Sequence, residues 1–166
     1  MPELWDLYDA RRNLTGKTVR AGENLPQGSY HLMVSGWIIN SKGEILMIQH
    51  HPDDEEYPML WDCIGGWALS GEDSAKAVLR EIREQTGAEV AAYHGRRLQS
   101  IRSGDHFIDV WVFRLDLEVR DLRPDPDRVV GIKWVTPEIF ADMFTQKRVV
   151  PAVHYFTTLY DRSMSL

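Results

Sequence analysis

The stretch from Gly65 to Ala88, GGWALSGEDSAKAVLREIREQTGA, constrains this chain more than any other. Two adjacent glycines open it, and Ala75, Val78, Leu79 and Ile82 then recur at three- and four-residue spacing, the period of one buried helix face. Asp73 is a good N-cap, and Gly87 stands where a left-handed residue ends a helix, so the spacing predicts a helix over Ser74–Thr86. Glu81, Glu84 and Gln85 fall at i, i+3 and i+4 and share a different face. Acidic pairs at this spacing usually mark a solvated face. Here two carboxylates and an amide oxygen stand beside a glycine turn, a donor set that suits a hard divalent cation. Mg²⁺ or Mn²⁺ takes oxygen ligands and keeps waters and substrate phosphates in its remaining positions.

At 166 residues, a single domain over 1–166 with one core is expected. With 43% hydrophobic residues and six tryptophans the chain can fill that core. The net charge of −6 argues against a nucleic-acid duplex or an anionic membrane as the main partner. A metal and a few focused arginines would still let an acidic protein handle a small-molecule phosphate. The single cysteine, Cys63, excludes an internal disulfide framework and fits a reducing cytoplasm. No run approaches ~18 consecutive apolar residues, and MPELWDLYDARR has no signal-peptide h-region.

Taken in order, Glu3–Tyr8 and Lys17–Arg20 read as two short strands of an N-terminal meander, with a linker-like turn at Leu25–Gly28 closing the segment 1–28. Tyr30–Asn40 and Ile45–Gln49 read as a hairpin around Ser41–Glu44. His50–Met59 is a charged loop with two prolines, expected to be exposed and without a role for His50-His51. Trp61–Ile64 leads into the glycine turn. Glu89–His94, Arg97–Arg102, His106–Leu117 and Gly131–Val135 are further strands. Arg120–Arg128 is a Pro/Asp-rich loop. Thr136-Pro137 starts a helix to about Phe144 with proline at N1, and Val149–Tyr160 reads as a closing helix. The order implies an α/β protein with a mixed sheet between helices.

The segment 65–88 resembles the Nudix box, G-x5-E-x7-R-E-U-x-E-E-x-G-U, where U is a bulky aliphatic residue. Gly66, Glu72, Arg80, Glu81, Ile82, Glu84 and Gly87 match it, while Gln85 stands where the pattern has a glutamate and Ala88 is a small final U. The resemblance implies the α/β/α sandwich of that family. It also implies metal-assisted attack of water on a phosphorus of a nucleoside diphosphate-linked or other diphosphate substrate. On this basis Glu81 is a metal ligand or general base, Glu84 a metal ligand, and the Gly65 carbonyl and Gln85 amide further oxygens. Arg80 holds the carboxylates in place, and Glu72 pairs with Arg80 or favours the helix dipole.

From Trp5 to about Trp134 the chain is also similar to type 1 isopentenyl diphosphate isomerases. That branch implies His31 and Asp109 as further metal ligands. Its catalytic cysteine and metal histidine fall here on Gly65 and Trp67, with Cys63 displaced by two residues. Since acid–base groups contribute ~10²–10⁴-fold, the branch is read as ancestry, and Cys63 as a small hydrophobe. Arg96, Arg97 and Arg102 are candidates for meeting phosphates, and Trp61 and Trp67 for stacking a base. Three readings stand: a pyrophosphohydrolase, an isopentenyl diphosphate isomerase-like enzyme, and a catalytically weakened Nudix binding module. The oligomeric state, monomer or homodimer, is left open.

Overall fold

The computed structural model describes residues 1–165. The helix expected from the Gly65–Ala88 pattern forms over Ser74–Thr86 (α1). The Asp73 carboxylate accepts a 2.8 Å hydrogen bond from the Lys76 N–H, satisfying one of the unpaired donors of the first turn. Gly87 ends the helix at φ 78°. A Cβ there would also lie 2.7 Å from the Arg123 nitrogen, so both conformation and close approach require glycine.

The described residues form nine strands: β1 (Leu4–Tyr8), β2 (Leu14–Arg20), β3 (His31–Ile39), β4 (Ile45–His50), β5 (Trp61–Asp62), β6 (Ile64–Trp67), β7 (Gly95–Ser103), β8 (His106–Arg114) and β9 (Val129–Val135). Two further helices are α2 (Pro137–Thr145) and α3 (Phe156–Met164). The main sheet runs β5-β4-β3-β8-β7, with β6 also paired to β3 and β9 to β4. It is mixed, because β3 and β8 run parallel while the flanking pairs are antiparallel.

The two-residue period of β3 divides the core. Leu32, Val34 and Ile38 join Val78 and Ile82 of α1 on one face, and Trp37 and Ile39 join Phe140 of α2 and Phe156 of α3 on the other. Trp37 stacks on Phe156 at 3.8 Å between ring centroids and donates its indole N–H to the Tyr155 hydroxyl at 3.1 Å. The result is an α/β/α sandwich. Among the described residues no helix is long and apolar enough to cross a membrane.

The N-terminal β1–β2 ribbon is antiparallel and forms its own small sheet. It docks through Tyr8, which exchanges backbone hydrogen bonds with Tyr30 at 2.7 and 2.8 Å. Asp6 caps the turn before α1, accepting from the Ser70 hydroxyl at 2.7 Å and from the Gly71 N–H at 2.8 Å. Trp5 packs against Trp67 and His31.

Three local expectations differ. Glu89–His94 is not a strand: it holds one helical turn at Ala92–His94 and has no ladder partner among the described residues. β3 and β4 pair at Ile39 and Ile45 and then diverge, and β5 takes up the same edge of β4 at Ile48 and Gln49 while β9 pairs along the other edge. The closing helix starts at Phe156, not Val149. The sheet claims the backbone there, with Trp61 N–H donating to the Arg148 carbonyl at 2.9 Å and Val150 N–H to the Trp61 carbonyl at 2.9 Å.

Candidate active site

β6 is the short strand that carries Gly65 and Gly66, and its pairing with Val34 and Ser35 of β3 sets it against α1. A side chain at Gly65 would place its Cβ 2.6 Å from the Val34 carbonyl oxygen. At Gly66 a Cβ would overlap the Glu81 carboxylate. The glycine turn is therefore the cradle in which Glu81 lies, which explains why glycines stand beside this helix face.

Glu81 and Gln85 are both 4% exposed, so this face of α1 is covered by β6 rather than solvated. Arg80 ties the cluster together. Its guanidinium donates to Glu72 Oε1 at 2.6 Å, to Glu81 Oε1 at 3.0 Å, to Glu84 Oε2 at 3.2 Å and to the Trp67 carbonyl at 3.0 Å. Glu72 is fixed in turn by the Leu69 N–H at 2.9 Å. The hydrogen bond to Glu72 and the charges of Glu81 and Glu72 outweigh burial and raise the Arg80 pKa, so the guanidinium is permanently cationic.

Two further donors close the face. Gln85 Nε2 lies 2.6 Å from both the Gly65 carbonyl oxygen and Glu81 Oε2. It is thus the amide nitrogen of Gln85, not its oxygen, that meets the other donor atoms in this arrangement. Arg128, at the end of the Pro/Asp-rich loop, donates to Glu84 Oε2 at 2.9 Å and Glu81 Oε2 at 3.0 Å. Glu81, Glu84, Gly65 and Gln85 thus come together, with Arg80 and Arg128 as counter-charges.

The candidates outside the box go elsewhere. Asp109 is fully buried and makes a paired hydrogen bond to the Arg12 guanidinium, with Ser100 donating at 2.8 Å. Burial alone would raise its carboxyl, but the Arg12 and Ser100 bonds hold it below the ordinary range. His31 stacks on Trp67 at 3.8 Å, and burial pulls its pKa down to about 4. Its Nε2 faces Asp105 at 3.8 Å. His31, Asp105 and His106 bring ligand atoms within 4.8 Å of one another, but His31 Nδ1 is buried without a hydrogen-bond partner among the described residues. A cation on Nε2 would leave an N–H on that buried nitrogen, a costly orphan donor. Cys63 is buried in the cluster around Trp37, and burial pushes its thiol well up. Trp61 belongs to the same cluster. Arg96, Arg97 and Arg102 lie on edge strand β7; Arg97 approaches Asp109 at 3.6 Å and Arg102 covers Tyr30.

A cavity of about 190 Å³ opens beside the cluster, lined by Gly65, Gln85 and Arg128 together with His50, Asp54 and Asp62. His50 is therefore not a free loop residue. Its ring lies between Asp62, 2.8 Å from Nε2, and Asp54, 3.2 Å from Nδ1. Burial lowers its pKa, but the bond to Asp62 and the charges of Asp62 and Asp54 outweigh burial and raise it. Arg12, Arg128, His50 and Asp62 are the residues that sequence reasoning missed. The one local signal was the abrupt change from the apolar β4 run to HHPDD.

The NUDIX domain family matches residues 29–154, and the chain belongs to that family. An uncharacterised Nudix hydrolase of Listeria innocua is 34% identical over 150 residues, covering 90% of this chain and 89% of that protein. An isopentenyl-diphosphate Δ-isomerase of Paenarthrobacter aurescens is 26% identical over 149 residues, covering 84% and 79%. The crystal structure of DR0079 from Deinococcus radiodurans shares the fold, with a TM-score of 0.77 and 23% identity over 97% of this chain and 99% of that one.

Proposed function

We propose that this Nudix protein is a Mg²⁺- or Mn²⁺-dependent pyrophosphohydrolase acting on a nucleoside diphosphate-linked or other small diphosphate. The observation that carries this reading is the convergence of the Glu81 carboxylate and the Gly65 carbonyl on the Gln85 amide, with Glu84 joined to Glu81 through Arg80 and Arg128, beside a cavity. This is an all-oxygen set for a hard cation, and the missing Cβ at Gly66 makes room for its central carboxylate. Glu81, Glu84 and Gly65 would hold the cation, with Gln85 turning its amide oxygen inward as a neutral ligand. When bound, the metal polarises a phosphoryl oxygen and lowers the pKa of coordinated water.

The chain's own groups do the rest. Arg80 fixes the geometry of Glu72, Glu81 and Glu84. With a cation on those carboxylates, Arg128 would be free to meet the phosphate charge that develops as the bridging bond breaks. The buried Cys63 thiol supplies no acid to this cavity, so the similarity to isomerases is ancestry. A small-molecule substrate in the cytoplasm suits the net charge of −6.

The test is phosphate and nucleotide release from a panel of nucleoside diphosphate derivatives and isopentenyl diphosphate, with Mg²⁺ and with chelator. Metal-dependent cleavage of at least one diphosphate is expected. Isomerisation without hydrolysis, or cleavage indifferent to chelator, would overturn the reading.

A further inference from the structure

A neutral imidazole has one N–H and donates to one acceptor, whereas an imidazolium has two. His50, at the end of β4, has a carboxylate at each ring nitrogen. Asp62 Oδ2 of β5 lies 2.8 Å from Nε2, and Asp54 Oδ2 of the loop 51–60 lies 3.2 Å from Nδ1. Asp54 is not the group that carries a proton here. Burial alone would raise its carboxyl, but the Tyr57 and Glu56 N–H groups, and then His50, hold it below the ordinary range. Only a doubly protonated ring donates to both aspartates. Burial opposes that charge, but the bond to Asp62 and the charges of Asp62 and Asp54 outweigh it and raise the imidazole pKa.

Asp54 is the centre of its loop. Its Oδ1 accepts from the Tyr57 N–H at 2.7 Å and the Glu56 N–H at 3.0 Å, and its own N–H donates to the His51 carbonyl at 3.0 Å. The ends of the loop are held by backbone, with the His50 N–H on the Leu60 carbonyl at 2.9 Å and the His51 N–H on the Arg128 carbonyl at 3.0 Å. The contact between His50 and Asp54 adds a side-chain tie from the turn at 54–57 to the sheet. His51, Asp53 and Asp54 of this loop line the cavity that also reaches Gly65 and Gln85, so the tie shapes the space beside the box carboxylates. Charge acts in the same direction. With the ring protonated, an entering anion meets two aspartates with a cation between them; with the ring neutral it meets two uncompensated carboxylates.

We propose that His50 is a proton-operated latch on this cavity: doubly protonated, it ties the turn 54–57 to β5 and favours capture of an anionic diphosphate, and on losing a proton it releases both. The substrate half of this rests on the pyrophosphohydrolase reading above. The bond to Asp62 is the shorter and keeps the remaining proton, so a lone pair on Nδ1 then faces the Asp54 carboxylate and the contact turns repulsive. His50 acts through the loop and is a positioning residue. The charged and titratable groups facing it are Asp62 from β5 and Asp54 from the loop at its ring nitrogens, Tyr57 at 6.1 Å, and His51, Asp53, Asp127 and Arg128 around the cavity. A group whose pKa is raised in the fold contributes fully below its unfolded value, ~6.5 for histidine, and loses that contribution as pH rises through the folded value. The latch is therefore closed in mildly acidic solution and opens on the alkaline side.

The test uses the full chain. In wild type without metal, NMR titration of the His50 ring should give a pKa above ~6.5. Backbone order parameters at residues 54–57 should fall from about 0.85 towards about 0.6 as pH rises through that value, while those of β4 and β5 stay level. Two variants separate a latch from general loosening. His50→Gln keeps a donor for Asp62 in the place of Nε2 and gives up the one at Nδ1, so the turn should be loose at every pH. Asp54→Asn offers an amide N–H to the unprotonated Nδ1, so the turn should stay ordered in alkaline solution, a rescue that a merely structural Asp54 does not produce. With the diphosphate that wild type cleaves best, KM should rise about threefold across the His50 titration, the scale of one partly exposed ion pair, and should not do so in Asp54→Asn. Order parameters at 54–57 that ignore the His50 titration, or an Asp54→Asn turn that loosens as wild type does, would overturn the latch. A KM that rises equally in wild type and Asp54→Asn would overturn its hold on substrate. A wild type that cleaves no diphosphate removes the functional reading, and the order parameters then still decide the latch.

Discussion

Replacing Gln85 by glutamate restores the family's usual residue, and the structure shows what that costs without a metal. The Gln85 nitrogen now lies 2.6 Å from the Gly65 oxygen and 2.6 Å from Glu81 Oε2. Gln85→Glu turns both hydrogen bonds into oxygen–oxygen contacts, losing about 1 kcal/mol each. It also sets two buried carboxylates side by side. At ~4 Å and an effective dielectric of 20 their repulsion is about 4 kcal/mol. The penalty has a ceiling, because the introduced carboxyl can take up a proton. Lifting an ordinary glutamate from pKa ~4.3 to 7 costs roughly 4 kcal/mol. Arg80 and Arg128 offset part of this, so the metal-free variant should be less stable than wild type by about 2–4 kcal/mol on these Coulomb estimates. A bound cation reverses the sign: the added charge becomes a ligand, and after desolvation a gain of one or two orders of magnitude in Mn²⁺ affinity is expected. Urea unfolding in chelator and calorimetric titration with Mn²⁺ measure the two halves, and diphosphate hydrolysis should rise with affinity. Unchanged metal-free stability, or unchanged or weaker Mn²⁺ binding, would refute the assignment of this face.

Removing the Arg12 guanidinium by Arg12→Met leaves the fully buried Asp109 with Ser100 and the half-exposed Arg97 at 3.6 Å, so urea unfolding should show a loss of about 3 kcal/mol. His31 has a pKa of about 4 in the fold against ~6.5 unfolded. Its contribution is therefore complete above pH 6.5 and is lost as pH falls towards 4, by about 3 kcal/mol; melting curves across that range should show a slope that His31→Phe flattens. Gly66→Ala pushes a methyl into the Glu81 carboxylate. Mn²⁺ affinity should fall at least about tenfold, on the usual scale for displacing a ligand's supports, while circular dichroism reports an intact fold.

The helix α1 was legible to the residue because its information is local: apolar period, N-cap and left-handed terminator all lie within the segment they define. The gathering of Glu81, Glu84, Gln85 and Gly65 was legible for the same reason, since helix geometry fixes three of the four. The rest depends on pairings that leave no local trace. Arg12 reaches Asp109 across 97 positions, and Arg128 reaches Glu81 across 47. Nothing about an arginine in a turn distinguishes it from a solvated one. His50 was hidden differently. Two prolines and a run of acids made HHPDDEEYP read as exposed, and most of it is, but His50 is still the last residue of β4 and points its ring at β5. The strand expected at Glu89–His94 does not form: Ala92–His94 make one helical turn, and the chain enters the sheet at Gly95.

The stretch recognised by family similarity begins at residue 29, yet the protein's physical boundary does not. Cutting the chain there would strip Arg12 from a buried carboxylate, uncover the indole of Trp67, and release the Ser70–Gly71 turn that launches α1 from Asp6. The N-terminal ribbon thus lies outside the matched stretch and inside the folding unit, so the span that the family match delimits is shorter than the unit that folds.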